Sequence, residues 1–237
     1  MIKTIILCGG RGSRLRPLTD TVPKPLVPLN GKPILQHNLE YYISRGYRRF
    51  VLCLGYRGDL IRDFVSRGSF DAEVEFADAG EQASILERLC HARPMMGKTA
   101  FVVYGDTLVS VDLDQMVAEH ERHGAAVTIT TGDIRSPFGL VTADEAGWAR
   151  SFEEKPVLTY YIGQMLLEAA ALDDVEPAWL RMPDGEGLVR LLGRLIEEGR
   201  VRVHPHRGVQ ITFNTQQEYR QAERELIAFF THRETDA

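Results

Sequence analysis

Apolar runs and helix-spaced apolar positions alternate along the first half of the chain. Lys3 to Cys8, apolar from Ile5 onward and closed by Gly9-Gly10, reads as a buried strand. Leu35, Leu39 and Tyr42 recur at helical spacing and predict a helix over Ile34 to Ser44, with Gly46 just beyond it. Phe50 to Leu54 reads as a second strand ended by Gly55, Leu60 to Val65 as a short helix, and Val74 to Phe76 as a third strand. A helix over Ser84 to Ala92, a strand over Thr99 to Tyr104 ended by Gly105-Asp106, and a helix over Leu113 to His123 between Asp112 and Gly124 follow. Strands and helices that alternate in this way predict βαβ units, a parallel sheet and right-handed crossovers. Ligands then collect at the carboxyl ends of the strands. Two glycine-rich strand ends fall there: Gly9-Gly10-Arg11-Gly12 and Gly105-Asp106.

The second half is patterned differently. Ala125 to Thr131 is a strand rich in Val and Thr, and Leu140 to Thr142, Ala149 to Phe152 and Tyr160 to Leu167 read as further strands, with Leu166 either inside the last or at the start of a helix. Leu188 to Glu198 is strongly amphipathic and stops at Gly199; Val201 to His204 is a strand. A last helix covers Thr215 to Phe230, opened by Thr215-Gln216-Gln217-Glu218 in the form of a capping box. The expected fold is α/β: a Rossmann-like, mixed but mostly parallel sheet flanked by helices, with a small β elaboration near residues 132–165 covering one side of a pocket.

Composition narrows the possibilities. The chain has 237 residues, 44% hydrophobic and 26% charged, which is a globular composition and excludes disorder. No apolar run approaches the ~20 residues that span a bilayer, so no membrane association is expected. Ile5-Ile6-Leu7 is too short for a signal-peptide core and is followed by Arg11, Arg14 and Arg16, so the expected location is the cytoplasm. With 28 Lys plus Arg against 33 Asp plus Glu, the net charge of −5 gives no sign of a nucleic-acid partner. The three cysteines, Cys8, Cys53 and Cys90, form no CxxC and predict neither a disulfide framework nor a zinc site. His120 and His123, and His204 and His206, lack a third metal ligand at suitable spacing.

Glycines after the first strand allow close approach to a phosphate and direct several N–H groups at it. The dinucleotide fingerprint is excluded because Leu15 stands where its third glycine would be, and Gly31-Lys32-Pro33 does not complete a P-loop. Arg14, Arg16, Lys24 and Lys32 recur through a segment stiffened by Pro17, Pro23, Pro25, Pro28 and Pro33. Spaced cations on a stiff backbone suit a triphosphate and a second phosphate; a solvated basic connection is the alternative.

Leu7-Cys8-Gly9-Gly10-Arg11-Gly12-Ser13-Arg14-Leu15-Arg16-Pro17-Leu18-Thr19, then Pro23-Lys24-Pro25-Leu26 and Gly31-Lys32-Pro33-Ile34, resembles the signature of the sugar-1-phosphate nucleotidyltransferases. Leu54-Gly55-Tyr56-Arg57-Gly58 resembles the same family, especially its glucose-1-phosphate cytidylyltransferases, as do Tyr104-Gly105-Asp106 and Phe152-Glu153-Glu154-Lys155-Pro156. The resemblance is good over residues 2–156 and poor beyond. It implies a single domain, nucleotide-binding over about residues 1–125 and sugar-phosphate-binding over about 126–237. The implied substrates are an NTP and a sugar or cyclitol 1-phosphate, the implied cofactor is Mg²⁺, and a homo-oligomer is possible.

The resemblance also implies roles. Leu7, Gly9, Gly10, Gly12, Ser13 and Arg14 would bind the nucleotide, Arg14 also holding the triphosphate; Lys24 would bind the sugar phosphate, and Asp106 the metal. Lys155 would contact the acceptor phosphate, Glu154 would accept hydrogen bonds from sugar hydroxyls, and Gly139 would let the backbone touch the sugar. Ser84 sits where the family reads the base, but Asp78-Ala79-Gly80-Glu81-Gln82-Ala83-Ser84 departs from the usual glycine-rich turn, which leaves the base open. Tyr161 stands where the family usually has an amide, either stacking on a sugar or buried as a core tyrosine. A late aspartate that is a second metal ligand in many members is missing from Gln210-Ile211-Thr212-Phe213-Asn214-Thr215; Thr212 or Asn214 takes its place, Asn214 being the candidate ligand. Two alternatives follow: a non-catalytic binding or regulatory homologue, and a cytidylyltransferase acting on a non-sugar phosphate or phosphonate.

Overall fold

The computed structural model describes residues 2–173, 175–183 and 185–231, the side chains of 227–231 excepted. Its strands are β1 (Lys3–Leu7), β2 (Pro28–Leu29), β3 (Lys32–Pro33), β4 (Arg49–Leu54), β5 (Glu73–Asp78), β6 (Thr99–Tyr104), β7 (Thr107–Val109), β8 (Val127–Arg135), β9 (Leu140–Ala143), β10 (Ala149–Glu153), β11 (Val157–Glu168), β12 (Val201–Pro205) and β13 (Gln210–Thr212). The helices are α1 (Ile34–Ser44), α2 (Gly58–Arg67), α3 (Ile85–Met96), α4 (Leu113–His123), α5 (Pro177–Leu180), α6 (Glu186–Glu197) and α7 (Gln216–Thr231).

Seven strands form one sheet in the order β12-β8-β11-β6-β1-β4-β5. β1 pairs in parallel with β4 and β6, β4 with β5, and β8 with β12; β11 runs against both β6 and β8. The mixed, mostly parallel sheet predicted from the alternation is therefore present. It draws strands from both sides of residue 125. β11 is reversed because β8 and β11 are the two arms of a long hairpin whose tip is the β9–β10 ribbon. Leu166 lies within β11, opposite Phe101 of β6.

Period-two alternation puts the strand side chains into two apolar layers. Ile6, Leu52, Leu54, Phe101 and Leu166 pack with Leu35, Leu39 and Tyr42 of α1, Ile61 of α2, Met116 of α4 and Leu226 of α7. Ile5, Val51, Cys53, Val102 and Leu167 pack with Leu86 and Leu89 of α3 and Leu191 and Leu195 of α6. The helix ends follow the sequence signals: Ser84 caps α3, Asp112 caps α4, and Gly124 closes α4 in the left-handed region. The cap of α7 differs from the reciprocal box. Thr215 Oγ1 accepts from the Glu218 N–H at 3.3 Å, but the Glu218 carboxylate accepts from Asn214 at 2.6 Å rather than from Thr215. The carboxylate thus fixes the residue just before the cap.

β7, β13 and α5 were not legible in the sequence. β7 and β13 are three residues each and pair only with one another, which is too short for periodicity to register.

Candidate active site

Chain order and sheet order diverge at β1, whose successors β4 and β6 lie on opposite sides of it. A crevice opens at such a switch point beyond the carboxyl ends of the strands. Both glycine-rich ends border it. The Gly105 N–H donates to Leu7 O at 3.0 Å, and a Cβ on Gly105 would lie 2.8 Å from that oxygen and 3.1 Å from Cys8 Sγ. Glycine there is what lets the β6 end lie against β1 and present Asp106 to the crevice.

Four residues far apart in sequence meet at that point. Lys24 Nζ donates to Asp106 Oδ2 at 2.6 Å and to Asn214 Oδ1 at 3.2 Å. Arg14 donates to the same Asn214 oxygen at 3.0 Å. Lys24 is buried beneath the loop, over the Phe213 ring at 5.4 Å, whereas Asp106 is partly exposed and Arg14 exposed. Gly12, at φ +58°, makes the turn that brings Arg14 round, and Thr19 Oγ1 donates to its carbonyl at 2.9 Å. The β7–β13 ladder delivers Asn214, with Thr107 opposite Thr212. Two cations, one carboxylate and one amide oxygen thus come together beyond the ends of β1 and β6.

The other spaced cations do not converge. Arg16 pairs with Asp20 at 3.2 Å and Lys32 with Glu40 at 3.1 Å, so local carboxylates hold both. Gly10 and Ser13 are exposed on the loop, Gly9 is buried, and Leu7 is half-buried at the end of β1. The Ser84 hydroxyl is engaged as the α3 cap, accepting from the Glu87 N–H at 3.1 Å.

The β elaboration carries a second group. A Cβ on Gly139 would lie 2.7 Å from the Phe152 ring and 3.3 Å from Glu154 Oε2, so Gly139, Phe152 and Glu154 are adjacent. Lys155, at φ +49°, extends beside Glu154 with 3.9 Å between charged atoms. Tyr161 is half-buried and packs against the second apolar layer. Its ring meets Tyr104 edge-on at 6.0 Å, and its hydroxyl is buried without a partner among the described residues, so burial holds its pKa well above the ordinary tyrosine value. The cause is a bulge in β11 between Tyr161 and Met165, where Gly163 at φ +78° packs on Tyr104. An open cavity of about 400 Å³ lies nearby, lined by Gly132, Asp133, Tyr160, His206, Arg207, Gly208 and Gln210.

Arg88 is the residue that the sequence reading missed. It lies under the Gly9 loop and donates to three carbonyls, those of Leu54, Gly9 and Glu81. A signal was present: Arg88 sits four and eight residues before Ala92 and Met96, on the buried stripe of α3.

Among the described residues no group of three or more His, Cys, Asp or Glu is placed to hold a metal, and no helix is long and apolar enough to cross a membrane. Asp106 with the Asn214 oxygen suits Mg²⁺ only as part of a set completed by phosphate oxygens and water, which is how this ion is commonly bound.

A doubly wound sheet that brings two cations and a carboxylate together at its switch point is an arrangement suited to phosphorylated ligands. Residues 3–168 match the nucleotidyl transferase family model, and the chain belongs to that family. It is 31% identical over 179 residues to the glucose-1-phosphate cytidylyltransferase of Salmonella typhi, a match covering 65% of this chain and 69% of that one. It is 32% identical over 194 residues to mannose-1-phosphate guanylyltransferase 1 of Arabidopsis thaliana, covering 74% of this chain and 52% of the relative. The chain thus spans about half the length of that plant relative. The crystal structure of HddC from Yersinia pseudotuberculosis complexed with GMP-PN superposes with a TM-score of 0.73 at 21% identity, over 95% of this chain and 100% of that one, and shares the fold.

Proposed function

We propose that this protein is a single-domain sugar-1-phosphate nucleotidyltransferase that joins a nucleotidyl group from an NTP to a sugar or cyclitol 1-phosphate and releases pyrophosphate. The joining of Arg14 and Lys24 on the Asn214 oxygen, with Lys24 also bound to Asp106, carries the reading. An oxygen of the sugar phosphate attacks the α-phosphorus; a P–O bond forms there, and the bond to the β-phosphate oxygen breaks with its electron pair leaving on pyrophosphate. The reaction asks the protein mainly for alignment and charge neutralisation.

Lys24 fits the acceptor phosphate as a compact, fixed cation, and the exposed Arg14 fork suits the departing pyrophosphate. The loop over Leu7, Gly9, Gly10, Gly12 and Ser13 offers backbone N–H groups to the nucleotide, with Ser84 at the rim of the base site through its backbone. Gly139, Glu154 and Lys155 face the sugar, and Tyr161 backs that wall from the core. Asp106, with the Asn214 oxygen, would hold Mg²⁺, which supplies charge neutralisation of the triphosphate when bound.

The test is pyrophosphate release by purified protein across a matrix of CTP, GTP, UTP and dTTP with hexose 1-phosphates and Mg²⁺. Turnover that Asp106→Ala abolishes supports the reading. No release from any pair, with nucleotide-dependent thermal stabilisation retained, favours a non-catalytic binding protein. Release only with a non-sugar phosphate or phosphonate acceptor shifts the substrate class.

A further inference from the structure

Arg88 is 5% exposed, and no carboxylate pairs with it among the described residues; Asp78, the acidic group at the neighbouring strand end, is taken by Arg62 at 3.5 Å. Its fork instead spans three segments. One N–H group reaches Leu54 O at the end of β4, and another reaches Gly9 O after β1 at 3.4 Å and Glu81 O before α3 at 3.2 Å. The Tyr56 N–H closes the same knot by donating to Gly9 O at 3.1 Å.

Two glycines make the guanidinium's berth. A Cβ on Gly9 would lie 2.4 Å from Arg88 Cζ, and one on Gly55 would lie 2.5 Å from Nη1. The guanidinium keeps its charge with its hydrogen bonds met by carbonyl oxygens, while Asp78 and Glu87 act on it only through space. That charge lies directly beneath the Gly9–Gly12 turn.

We propose that Arg88 is the positioning residue of the nucleotide site: it ties the loops after β1 and β4 to the segment before α3, and lends fixed positive potential to the turn where the triphosphate docks. The second half rests on the nucleotidyltransferase reading; the first does not. The guanidinium acts through the loop backbone, with Gly9 between it and the crevice. A lysine cannot reproduce the role, because an ammonium lacks the planar fork needed to reach three carbonyls in three directions.

The experiment uses the full chain with Arg88→Lys, Arg88→Ala, Gly9→Ala and the Gly9→Ala/Arg88→Ala double variant. Amide hydrogen exchange of the ligand-free protein reads the tie. Arg88→Ala should speed exchange in peptides covering residues 8–12, 54–57 and 80–84 by more than tenfold while the β8–β11 core is unchanged. Equilibrium binding of Mg·CTP, Mg·GTP, Mg·UTP and Mg·dTTP reads the site. Arg88→Ala should weaken the nucleotide bound by wild type by about 10- to 100-fold, with Arg88→Lys between the two. The KM for the acceptor phosphate should move less than about threefold, whereas general destabilisation would disturb both substrates.

Gly9→Ala evicts the guanidinium and should cost as much as Arg88→Ala. The double variant should cost no more than either, because the second change removes nothing further. Unchanged exchange in the three loops overturns the proposal, as does nucleotide binding within twofold of wild type in a folded Arg88→Ala protein. Losses that multiply in the double variant overturn it too; if Arg88→Ala folds poorly, Arg88→Lys decides the matter, and loop exchange and nucleotide binding within twofold of wild type in that variant overturn the proposal. A wild type that binds none of the four nucleotides defeats the nucleotidyltransferase reading and the potential with it, while the exchange arm still decides the tie.

Discussion

Charge removal at the Lys24–Asp106 pair should have opposite consequences for the two partners. The Lys24 side chain is 7% accessible and that of Asp106 29%, with 2.6 Å between their charged atoms. At that separation, and with an effective dielectric constant of about 20, the attraction is about 6 kcal/mol before desolvation is subtracted. Asp106→Asn removes the negative charge beside a buried ammonium and leaves it neutral partners alone: the new amide oxygen, the Asn214 oxygen at 3.2 Å and the Phe213 ring at 5.4 Å. A stranded buried charge of this kind costs about 2–4 kcal/mol, the lower end reflecting water at Asp106. Lys24→Met keeps the aliphatic stem and leaves Asp106 free to turn to solvent, retaining the Thr107 hydroxyl at 3.3 Å; the expected loss is about 1 kcal/mol or less. The double variant should therefore be more stable than Asp106→Asn alone. Urea unfolding monitored by circular dichroism, with midpoints compared at constant slope, gives the three differences. A Lys24→Met loss as large as that of Asp106→Asn, or strictly additive costs, would refute the argument from unequal burial.

Three further expectations concern the same molecule. Gly105→Ala places a Cβ 2.8 Å from Leu7 O, a backbone atom that cannot yield, so stability should fall by about 2–4 kcal/mol and Asp106 should be misaligned; an unchanged melting temperature with full activity would contradict this. Asn214→Asp neutralises the surplus cation of the Arg14–Lys24–Asp106 cluster and should raise the affinity of the ligand-free protein for Mn²⁺ by about tenfold, read by electron paramagnetic resonance; no gain would remove Asn214 from the metal's surroundings. His37, His120 and His206 all have pKa values lowered by burial, so the unfolded chain takes up protons that the folded chain refuses as pH falls below about 6.5. Their contribution is complete above that value and is lost progressively toward pH 5, and a urea midpoint that is level from pH 7.5 to 5.5 would contradict the sign.

The sequence by itself determined the layered sheet, the position of most helices and the two glycine-rich strand ends. Those are local properties: apolar spacing sets which face of an element is buried, and Gly9, Gly55 and Gly105 stop strands where the chain must turn. It also singled out Arg14, Lys24, Asp106 and Asn214 through family resemblance. Only the tertiary structure decided which cations converge. Arg16 and Lys32 look equivalent to Arg14 and Lys24 in the sequence, yet Asp20 and Glu40 hold them elsewhere. The bulge beside Gly163 set Tyr161 against Tyr104, and α3 brought an arginine beneath a loop 79 residues away. Pairings of this kind depend on the register and packing of distant segments, whose energies no local pattern of residues contains.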